Sequence, residues 1–403
     1  MRILFLTYHF PTPQEPGAAR PWETAQLLRA LGHEVVVITA GTHYMTGEDT
    51  RKKRKGLWSL EAIDGFRVIK TFAPSRHRRS FRRRLLNYLT YAALAFLAGL
   101  RECRWDAILM ATDPPFIMPF GFLLARLRRA SLILDERDLY PDTAVALGYL
   151  RSTALIKILE TWQHFFRRRA SRILAATPGI KRLLVQKGIS SHKIVVFPNV
   201  PFSFHDNVPG DCDLRKDRGW GNAFLVLYAG TFGQANELST ILKAARLLQA
   251  RAPQVRFVFI GDGEKKASCL AFCEEHDVRN VEFLSPQPRE LMPHYLAAAD
   301  VCIHSFSRHP FWECALSTKI FDAMLAGKPI VFAGRGDAAD LIMAAQAGMV
   351  VEPEKPDLLA EAILFLYQQP SLREEMGANG RRYVLTHFSR QEMAHRLAQA
   401  LQP

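Results

Sequence analysis

The segment from Glu313 to Asp322 concentrates charged side chains that could hold an anionic ligand. Lys319 lies in the first turn of a predicted helix whose N-cap is Ser317 or Thr318. The first turn presents unpartnered N–H groups and the positive end of the helix dipole, so a cation is unfavourable there unless an anion compensates it. Lys319 therefore favours a bound diphosphate at this helix start, and a lysine that extends into solvent is the alternative.

Two glycines, Gly230 and Gly233, follow the predicted strand FLVLYAG. A glycine in such a turn lets the backbone approach a phosphate or a sugar closely, because it has no Cβ. The pair alone is weak evidence. It supports a ligand site only together with the charged segment.

A metal site is a further chemistry to consider. Cys269, Cys273 and His276 share one helix face by their spacing and could offer three ligands. No fourth ligand is visible nearby, so a packed helix face is favoured. The six cysteines contain no C-x-x-C pair, which predicts neither a disulfide framework nor a zinc ribbon and fits a reducing compartment. No DxD motif stands at a predicted strand end, so we expect no metal or other cofactor.

Alternating strands and helices must position these residues. In residues 1–202, short apolar runs alternate with helical patterns from the first strand and the helix Pro21 to Leu31 onward, which predicts a doubly wound parallel sheet. Residues 203–222 lack periodicity and are rich in Pro, Gly, Asp and Asn, which predicts a linker.

The alternation restarts over residues 223–387 and predicts a second domain of the same class, in which the helix Thr318 to Ala326 is followed by Gly327. A last helix in residues 388–403 has no strand after it and is free to pack back on the first domain. Ligands bind beyond the carboxyl ends of parallel strands, so we expect both domains to place their sites across one cleft.

The net charge of +14 is concentrated in the first half of the chain. Residues 1–200 hold 32 Lys and Arg against 15 Asp and Glu, whereas the remainder holds 21 against 24. This asymmetry predicts an anionic partner for the first half, which could be a bilayer, a nucleic acid or a phosphorylated substrate. A merely solvated basic face is the alternative.

Six arginines between Arg76 and Arg84 precede the uncharged apolar run Leu85 to Leu100, and a second basic cluster spans Arg51 to Lys55. A basic flank beside an apolar helix is typical of an interfacial anchor on anionic lipid. A buried core helix is the alternative, and the two are compatible. The arginines lie beside aliphatic rather than aromatic or base-reading side chains, so nucleic acid is not an expected partner.

Neither a transmembrane helix nor a signal peptide is predicted. The run Leu85 to Leu100 has 16 residues, whereas a spanning helix takes about 20. Met1 to Phe10 lacks a small-residue cleavage site and is typical of a first strand.

Ten segments, in order along the chain, resemble the family 4 glycosyltransferases, in particular bacterial enzymes of O-antigen, capsule and exopolysaccharide synthesis such as the N-acetyl-L-fucosamine transferases. They are YHFPTPQEPGAARP, GHEVVVIT, ATDPPF, ERDLYPDTAVALG, TPGIKRLL, FPN, LYAGTFG, FIGDGE, FWECALSTKIFDAMLAGKPIV and MGANGRRYV. The resemblance covers essentially the whole chain. It implies the α/β GT-B fold, with two Rossmann-like doubly wound parallel-sheet domains facing a cleft.

The resemblance also implies an activity. The expected reaction is retaining, metal-independent transfer of a sugar from a nucleotide-sugar, with UDP as the expected nucleotide, to a lipid-linked or growing glycan acceptor. Such enzymes act on polyprenyl-diphosphate-linked sugars, so we expect a cytoplasmic protein bound peripherally to the inner face of the cytoplasmic membrane.

On the donor side, the resemblance implies that Glu313 approaches the sugar and that Asp322 receives the ribose hydroxyls. Lys319 and its helix start would stabilise the leaving diphosphate in place of a metal. The other donor-binding candidates are Gly230, Thr231, Gly233, Gly261, Ser317 and Thr318.

On the acceptor side, Asp138 in ERDLYPD is the candidate that contacts or deprotonates the acceptor. Gly17, Arg20 and Arg137 are expected on the same side. A structural ion pair between Arg137 and a strand-end carboxylate is an equal alternative.

The chain departs from the family at three positions. Many relatives carry an Arg and a Lys after the glycine turn to clamp the diphosphate, where Thr231 and Asn236 stand here, and Asp322 replaces the usual Glu. Lys319 must then carry more of the charge, or activity has been lost. These departures make a degenerate, membrane-docked partner subunit one alternative. A nucleotide-sugar epimerase on the same fold is a second.

Overall fold

The computed structural model describes residues 1–12, 15, 20–43, 47–52, 56–74, 81–102, 104–202 and 214–402. The chain divides into two compact units, of which the first comprises Met1–Asn199 with Arg390–Pro403 and the second comprises Val200–Ser389. Both are α/β units built on a mainly parallel sheet, as the alternating pattern predicted.

The first unit contains an eight-stranded sheet. Its strands are β1 (Arg2–Leu6), β2 (Glu34–Ala40), β3 (Trp58–Ile63), β4 (Phe66–Thr71), β5 (Ala107–Ala111), β6 (Ser131–Glu136), β7 (Arg172–Ala175) and β8 (Ile194–Val196). They are ordered β3-β4-β2-β1-β5-β6-β7-β8. Strands β1 and β5 lie at the centre of this sheet, and apart from Arg2 all their residues are buried and apolar, as expected for strands covered on both faces.

One edge of this sheet departs from the all-parallel prediction. Strands β3 and β4 pair antiparallel, whereas the other neighbours are parallel. Asp64 and Gly65 connect them, and both have positive φ, at 46° and 80°. A two-residue Asp-Gly loop of this kind closes a tight hairpin whose twist matches that of its strands.

Helices cover both faces of the first sheet. They are α1 (Arg20–Ala30), α2 (Phe81–Arg101), α3 (Met118–Arg128), α4 (Asp142–Ala146), α5 (Thr153–Arg169) and α6 (Pro178–Gln186). None of the helices in the described ranges is long and apolar enough to cross a membrane.

The second unit contains a six-stranded parallel sheet ordered β11-β10-β9-β12-β13-β14. Its strands are β9 (Phe224–Ala229), β10 (Val255–Ile260), β11 (Val281–Leu284), β12 (Val301–Ser305), β13 (Ile330–Ala333) and β14 (Gly348–Val351). Its helices are α7 (Leu214–Asp217), α8 (Leu238–Arg251), α9 (Lys266–Glu275), α10 (Met292–Ala298), α11 (Thr318–Leu325), α12 (Asp337–Ala344), α13 (Pro356–Gln368) and α14 (Pro370–His387).

The end of the predicted linker folds into the second unit. Trp220 is buried, and its indole N–H donates to Glu282 at 2.8 Å. Arg215 in α7 forms an ion pair with Asp300 at 2.7 Å. Residues 214–222 are therefore part of a packed unit rather than a linker, and residues 203–213 lie outside the described ranges.

The final helix, α15 (Arg390–Leu401), packs on α1, β7 and β8 of the first unit. It buries Met393, Leu397 and Ala400, which are spaced along one helix face. The chain thus returns to its first unit after completing the second.

Candidate functional site

The predicted helix around Lys319 is α11, which begins at Thr318 with Ser317 as its N-cap. The Ser317 hydroxyl does not cap the helix; its Oγ lies 3.4 Å from Nζ of Lys319, which donates to it. The helix ends as predicted, because Gly327 adopts a φ of 67° and Lys328 donates its N–H to the Ala323 carbonyl.

The Lys319 side chain extends across the glycine turn that follows β9. A Cβ at Gly230 would collide with Cε of Lys319, and the φ of 154° is one that residues with a side chain rarely adopt, so both features favour glycine here. The ammonium lies 5.9 Å from the centroid of the Tyr228 ring. Burial lowers the pKa of Lys319 to about 8, and Asp322, one helical turn further on, opposes this shift. The site therefore holds a desolvated cation that an anionic ligand would stabilise.

The other predicted glycines differ in how strictly they are required. A Cβ at Gly261 would collide with the Gly230 carbonyl, so the turns after β9 and β10 pack directly on each other. At Gly233 the nearest atom to an added Cβ is 3.7 Å away, an ordinary contact. Geometry supports close packing at Gly230 and Gly261 but does not demand glycine at Gly233.

The two residues that replace the family's Arg and Lys have distinct positions. Thr231 is exposed, and its carbonyl accepts hydrogen bonds from the Tyr228 hydroxyl at 2.8 Å and from Nδ2 of Asn236 at 2.9 Å. Asn236 is buried. Its side chain therefore closes the glycine turn.

Glu313 is exposed on a 3₁₀ turn, Pro310–Cys314. Its backbone packs against Gly336, where an added Cβ would collide with the Glu313 carbonyl and φ is 77°. Arg335 lies close enough for Glu313 to raise its pKa, after the larger effect of its partner Glu352. The sequence analysis did not assign Gly336 or Arg335 to the site, although a glycine directly before a predicted helix is a recognisable helix-start pattern.

A buried histidine lies beneath Lys319. His304 on β12 is 2 % exposed, and neither ring nitrogen has a hydrogen-bond partner among the described residues. Its ring stacks between Tyr228 and Phe332, with centroid distances of 6.1 and 6.0 Å. Burial, and then the charge of Lys319, lower the pKa of His304 well below its usual value, so the imidazole is neutral.

Among the predicted acceptor-side residues, Arg137 and Asp138 follow β6 in the first unit, and Arg20 is the first residue of α1. Arg20 is buried and donates from Nε to Asp135 at 2.9 Å and from Nη1 to the Phe197 carbonyl. Arg137 donates to the other oxygen of Asp135 at 3.0 Å. Burial would raise the pKa of Asp135, but the two guanidinium groups hold it below its usual value. Arg20 thus links the start of α1 to β6 and to the segment after β8, inside the first unit.

Arg137 combines the two predicted alternatives. It forms the strand-end ion pair, and its Nη2 has no hydrogen-bond partner among the described residues. Its neighbour Asp138 is exposed to solvent. Desolvation, followed by the charge of Asp113, raises the pKa of Asp138 to about 6. The sequence analysis did not include Asp113 among the acceptor-side residues. Gly17, which it did include, lies outside the described residues.

The possible metal ligands on α9 are packing residues. Cys269 is buried and Cys273 half-buried, and desolvation raises the pKa of each thiol to about 11, so both are protonated near neutral pH. Across the residues for which positions are given, no group of three or more His, Cys, Asp or Glu side chains could hold a metal ion.

The predicted basic clusters need correction. Arg51 is buried, forms an ion pair with Asp49 at 2.9 Å and lies over the Phe72 ring, so it is a structural residue rather than part of a surface patch. Arg82, Arg83 and Arg84 are exposed at the start of α2. Residues 53–55 and 75–80 lie outside the described ranges.

Both halves of the chain match glycosyltransferase family models. Residues 17–200 match "Glycosyl transferase 4-like domain", and residues 213–383 match "Glycosyl transferases group 1". A similar curated protein is WcaI of Escherichia coli (strain K12), a glycosyl transferase assigned to colanic acid biosynthesis. It is 24 % identical over 343 residues, which cover 81 % of this chain and 82 % of WcaI.

Solved structures show the same fold over the whole length. Anabaena Alr3699/HepE in complex with UDP-glucose has a TM-score of 0.72 at 17 % identity and covers 100 % of this chain and 99 % of its own. Sucrose-phosphate synthase from Thermosynechococcus elongatus has a TM-score of 0.76 at 17 % identity, with coverages of 99 % and 97 %. With two α/β units of this fold and a glycosyltransferase model on each half, the chain belongs to the family 4 glycosyltransferases of the GT-B type.

Proposed function

We propose that this glycosyltransferase is a retaining enzyme that transfers a sugar from a nucleotide-sugar, with UDP as the expected nucleotide, to a lipid-linked or growing glycan in cell-surface polysaccharide synthesis. The main support for this proposal is the position of Lys319, a desolvated cation at the start of α11 whose side chain lies across Gly230. The relative in colanic acid biosynthesis and the neighbour bound to UDP-glucose support this choice of acceptor and donor. Membership of the N-acetyl-L-fucosamine transferase subgroup belongs to the same proposal.

The donor site supplies charge stabilisation. As the bond from the sugar to the diphosphate oxygen breaks and the bond to the acceptor oxygen forms, negative charge develops on the diphosphate. Lys319 and the N–H groups of the first turn of α11 would stabilise that charge. Glu313 would contact the sugar and Asp322 the ribose hydroxyls. In this proposal no metal ion takes part.

The acceptor site would supply a carboxylate. Asp138 is exposed and has a pKa of about 6, so near neutral pH most of it is ionised and can accept a hydrogen bond from an acceptor hydroxyl. The positive charge of Arg137 would favour the ionised form of Asp138. Gly17 remains a candidate from the resemblance alone.

Calorimetry with UDP and GDP tests the donor site, with Lys319→Met as the variant and Lys243→Met, on the exposed face of α8, as the control. We expect the wild type and the control to bind a nucleotide and Lys319→Met to lose at least about tenfold in affinity. A wild type without measurable affinity for either nucleotide would instead favour the degenerate partner subunit.

A panel of UDP-sugars with a polyprenyl-diphosphate sugar tests the reaction. The proposal predicts a glycosylated acceptor with the anomeric configuration of the donor retained. Conversion of the UDP-sugar to an epimer without any acceptor would favour the epimerase alternative, and inversion of configuration would refute the retaining mechanism.

Peripheral membrane binding is a second part of the proposal and rests on the surface of α2. One face of α2 packs in the first unit through residues such as Tyr91 and Ala95, whereas Leu86, Leu89 and Leu97 are exposed along another face. Helix α3, which packs against α2, and helix α5, which packs against α3, expose further leucines and an isoleucine, namely Leu123, Leu127, Leu155 and Ile158. Exposed arginines at the start of α2 complement an anionic lipid surface.

Vesicle sedimentation tests this surface. The wild type should bind vesicles that contain an anionic lipid and not purely zwitterionic ones, and Leu86→Gln/Leu89→Gln should reduce the bound fraction. Leu247→Gln, at an exposed leucine of α8, is the matched control. Equal sedimentation of the wild type with both kinds of vesicle would contradict the electrostatic part.

A further inference from the structure

The donor diphosphate of the proposed reaction carries more charge than Lys319 alone can balance. Thr231 and Asn236 replace the two cations expected after the glycine turn, and both are neutral. Asn236 is buried and bound to the Thr231 carbonyl at 2.9 Å. A second cation must therefore come from another element if the nucleotide is to be held tightly.

Lys266, the first residue of α9, reaches the same turn from a different loop. Its Nζ donates to the Gly261 carbonyl at 3.2 Å and lies 6.0 Å from the centroid of the Phe232 ring. Gly261 packs against the Gly230 carbonyl, and Lys319 extends across Gly230. The two lysines thus approach one pair of adjacent glycines.

The neighbouring lysine has a different environment. Lys265 lies 4.0 Å from the carboxylate of Glu237, and its side chain is 35 % exposed. Lys266 is half-buried, as Lys265 is, but the first turn of α9 contains no acidic residue. Burial of a cation is favourable only where an opposite charge compensates it.

A buried histidine near this turn also lacks hydrogen-bond partners among the described residues. His304 is nine-tenths buried, interacts with Lys319 and has no hydrogen-bond partner on either ring nitrogen among the described residues. It stacks on Tyr228, whose ring lies 5.9 Å from that of Phe232. Two cations and an unpartnered imidazole therefore lie around the same aromatic pair.

We infer that Lys266 is a phosphate-binding residue of the donor site and that it binds the nucleoside diphosphate together with Lys319. The inference rests on the proposed nucleotide-sugar donor. Lys266 would supply the second cation that the glycine turn lacks, from the start of α9 instead of from the turn itself.

Calorimetry with UDP and with uridine, at one ionic strength, separates phosphate binding from packing. We expect Lys266→Met to weaken the binding of UDP about tenfold and to leave uridine binding unchanged, because only UDP carries phosphates. Lys266→Arg keeps the charge and should retain most of the affinity. Lys265→Met is the matched control and should bind UDP like the wild type.

Each outcome decides the matter. Unchanged UDP affinity in Lys266→Met, while the wild type binds UDP, would overturn the Lys266 assignment and leave the proposed function standing. Equal losses for UDP and uridine would also overturn it, since they would indicate a packing role. A wild type that binds neither UDP nor GDP would overturn the proposed function and this inference together.

Discussion

At the scale of single residues, Gly230 offers a sharp test because Lys319 occupies the space where its side chain would be. Gly230→Ala should displace Lys319 and lower UDP affinity at least about tenfold, as measured by calorimetry. Gly233→Ala is the matched control, since its added Cβ meets nothing closer than 3.7 Å. Equal affinities for UDP in the two variants would contradict the role of this contact.

The two perturbed side chains predict a pH profile of kcat/KM. Activity should rise as Asp138 ionises near pH 6 and fall as Lys319 deprotonates near pH 8. Asp138→Asn should remove the acid limb, whereas Asp217→Asn, exposed on α7, should keep it. If the acid limb of the profile were unchanged in Asp138→Asn, the limb would have to arise from a titratable group other than Asp138.

The same aspartate predicts a pH-dependent effect on stability. The pKa of Asp138 is raised in the folded protein, so its charged form is disfavoured and stability is lost as pH rises from about 4 towards 6. Asp138→Asn should therefore raise Tm at pH 7.5 and have little effect near pH 4. A variant with a lower Tm than the wild type at pH 7.5 would contradict this.

At the scale of elements, the ion pair of Arg20 and Asp135 joins α1 to β6, and both side chains are buried. Arg20→Met leaves the buried Asp135 carboxylate paired with Arg137 alone and should lower the free energy of unfolding by about 3 kcal/mol, as measured by urea denaturation. Arg20→Met/Asp135→Leu should recover part of that loss. A double variant no more stable than Arg20→Met would contradict the view that the loss arises from the buried carboxylate.

Periodicity in the sequence predicted the elements well and their local exceptions poorly. The alternation of strands and helices gave two α/β units, and α11 begins and ends near the predicted residues. The Asp64-Gly65 signal for an antiparallel hairpin was present but unused. Arg51 was assigned to the surface by its charge, yet its partners Asp49 and Phe72 bury it, and tertiary burial of this kind leaves no periodic signal.

The candidate site was predictable where one segment carries it. Lys319 and Asp322 are one helical turn apart, so their proximity follows from helix geometry. The packing of Gly261 on Gly230, or of Gly336 on Glu313, joins loops far apart in sequence. Such contacts depend on the order of strands in the sheet, which a single sequence does not reveal.

At the scale of the whole molecule, α15 makes the first unit depend on the last residues of the chain. Deleting residues 390–403 removes Met393, Leu397 and Ala400 from their contacts with α1, β7 and β8. Hydrogen exchange should then accelerate in α1 and β8 but not in α13 of the second unit. Faster exchange in the second unit alone would contradict this assignment.

The most direct test of the donor-site proposal is a crystal structure of the wild type with UDP. We predict the diphosphate at the start of α11, with a phosphate oxygen within about 3 Å of Nζ of Lys319. A nucleotide bound at the second sheet but away from Lys319 and the Gly230 turn, or bound in the first unit, would contradict the central claim.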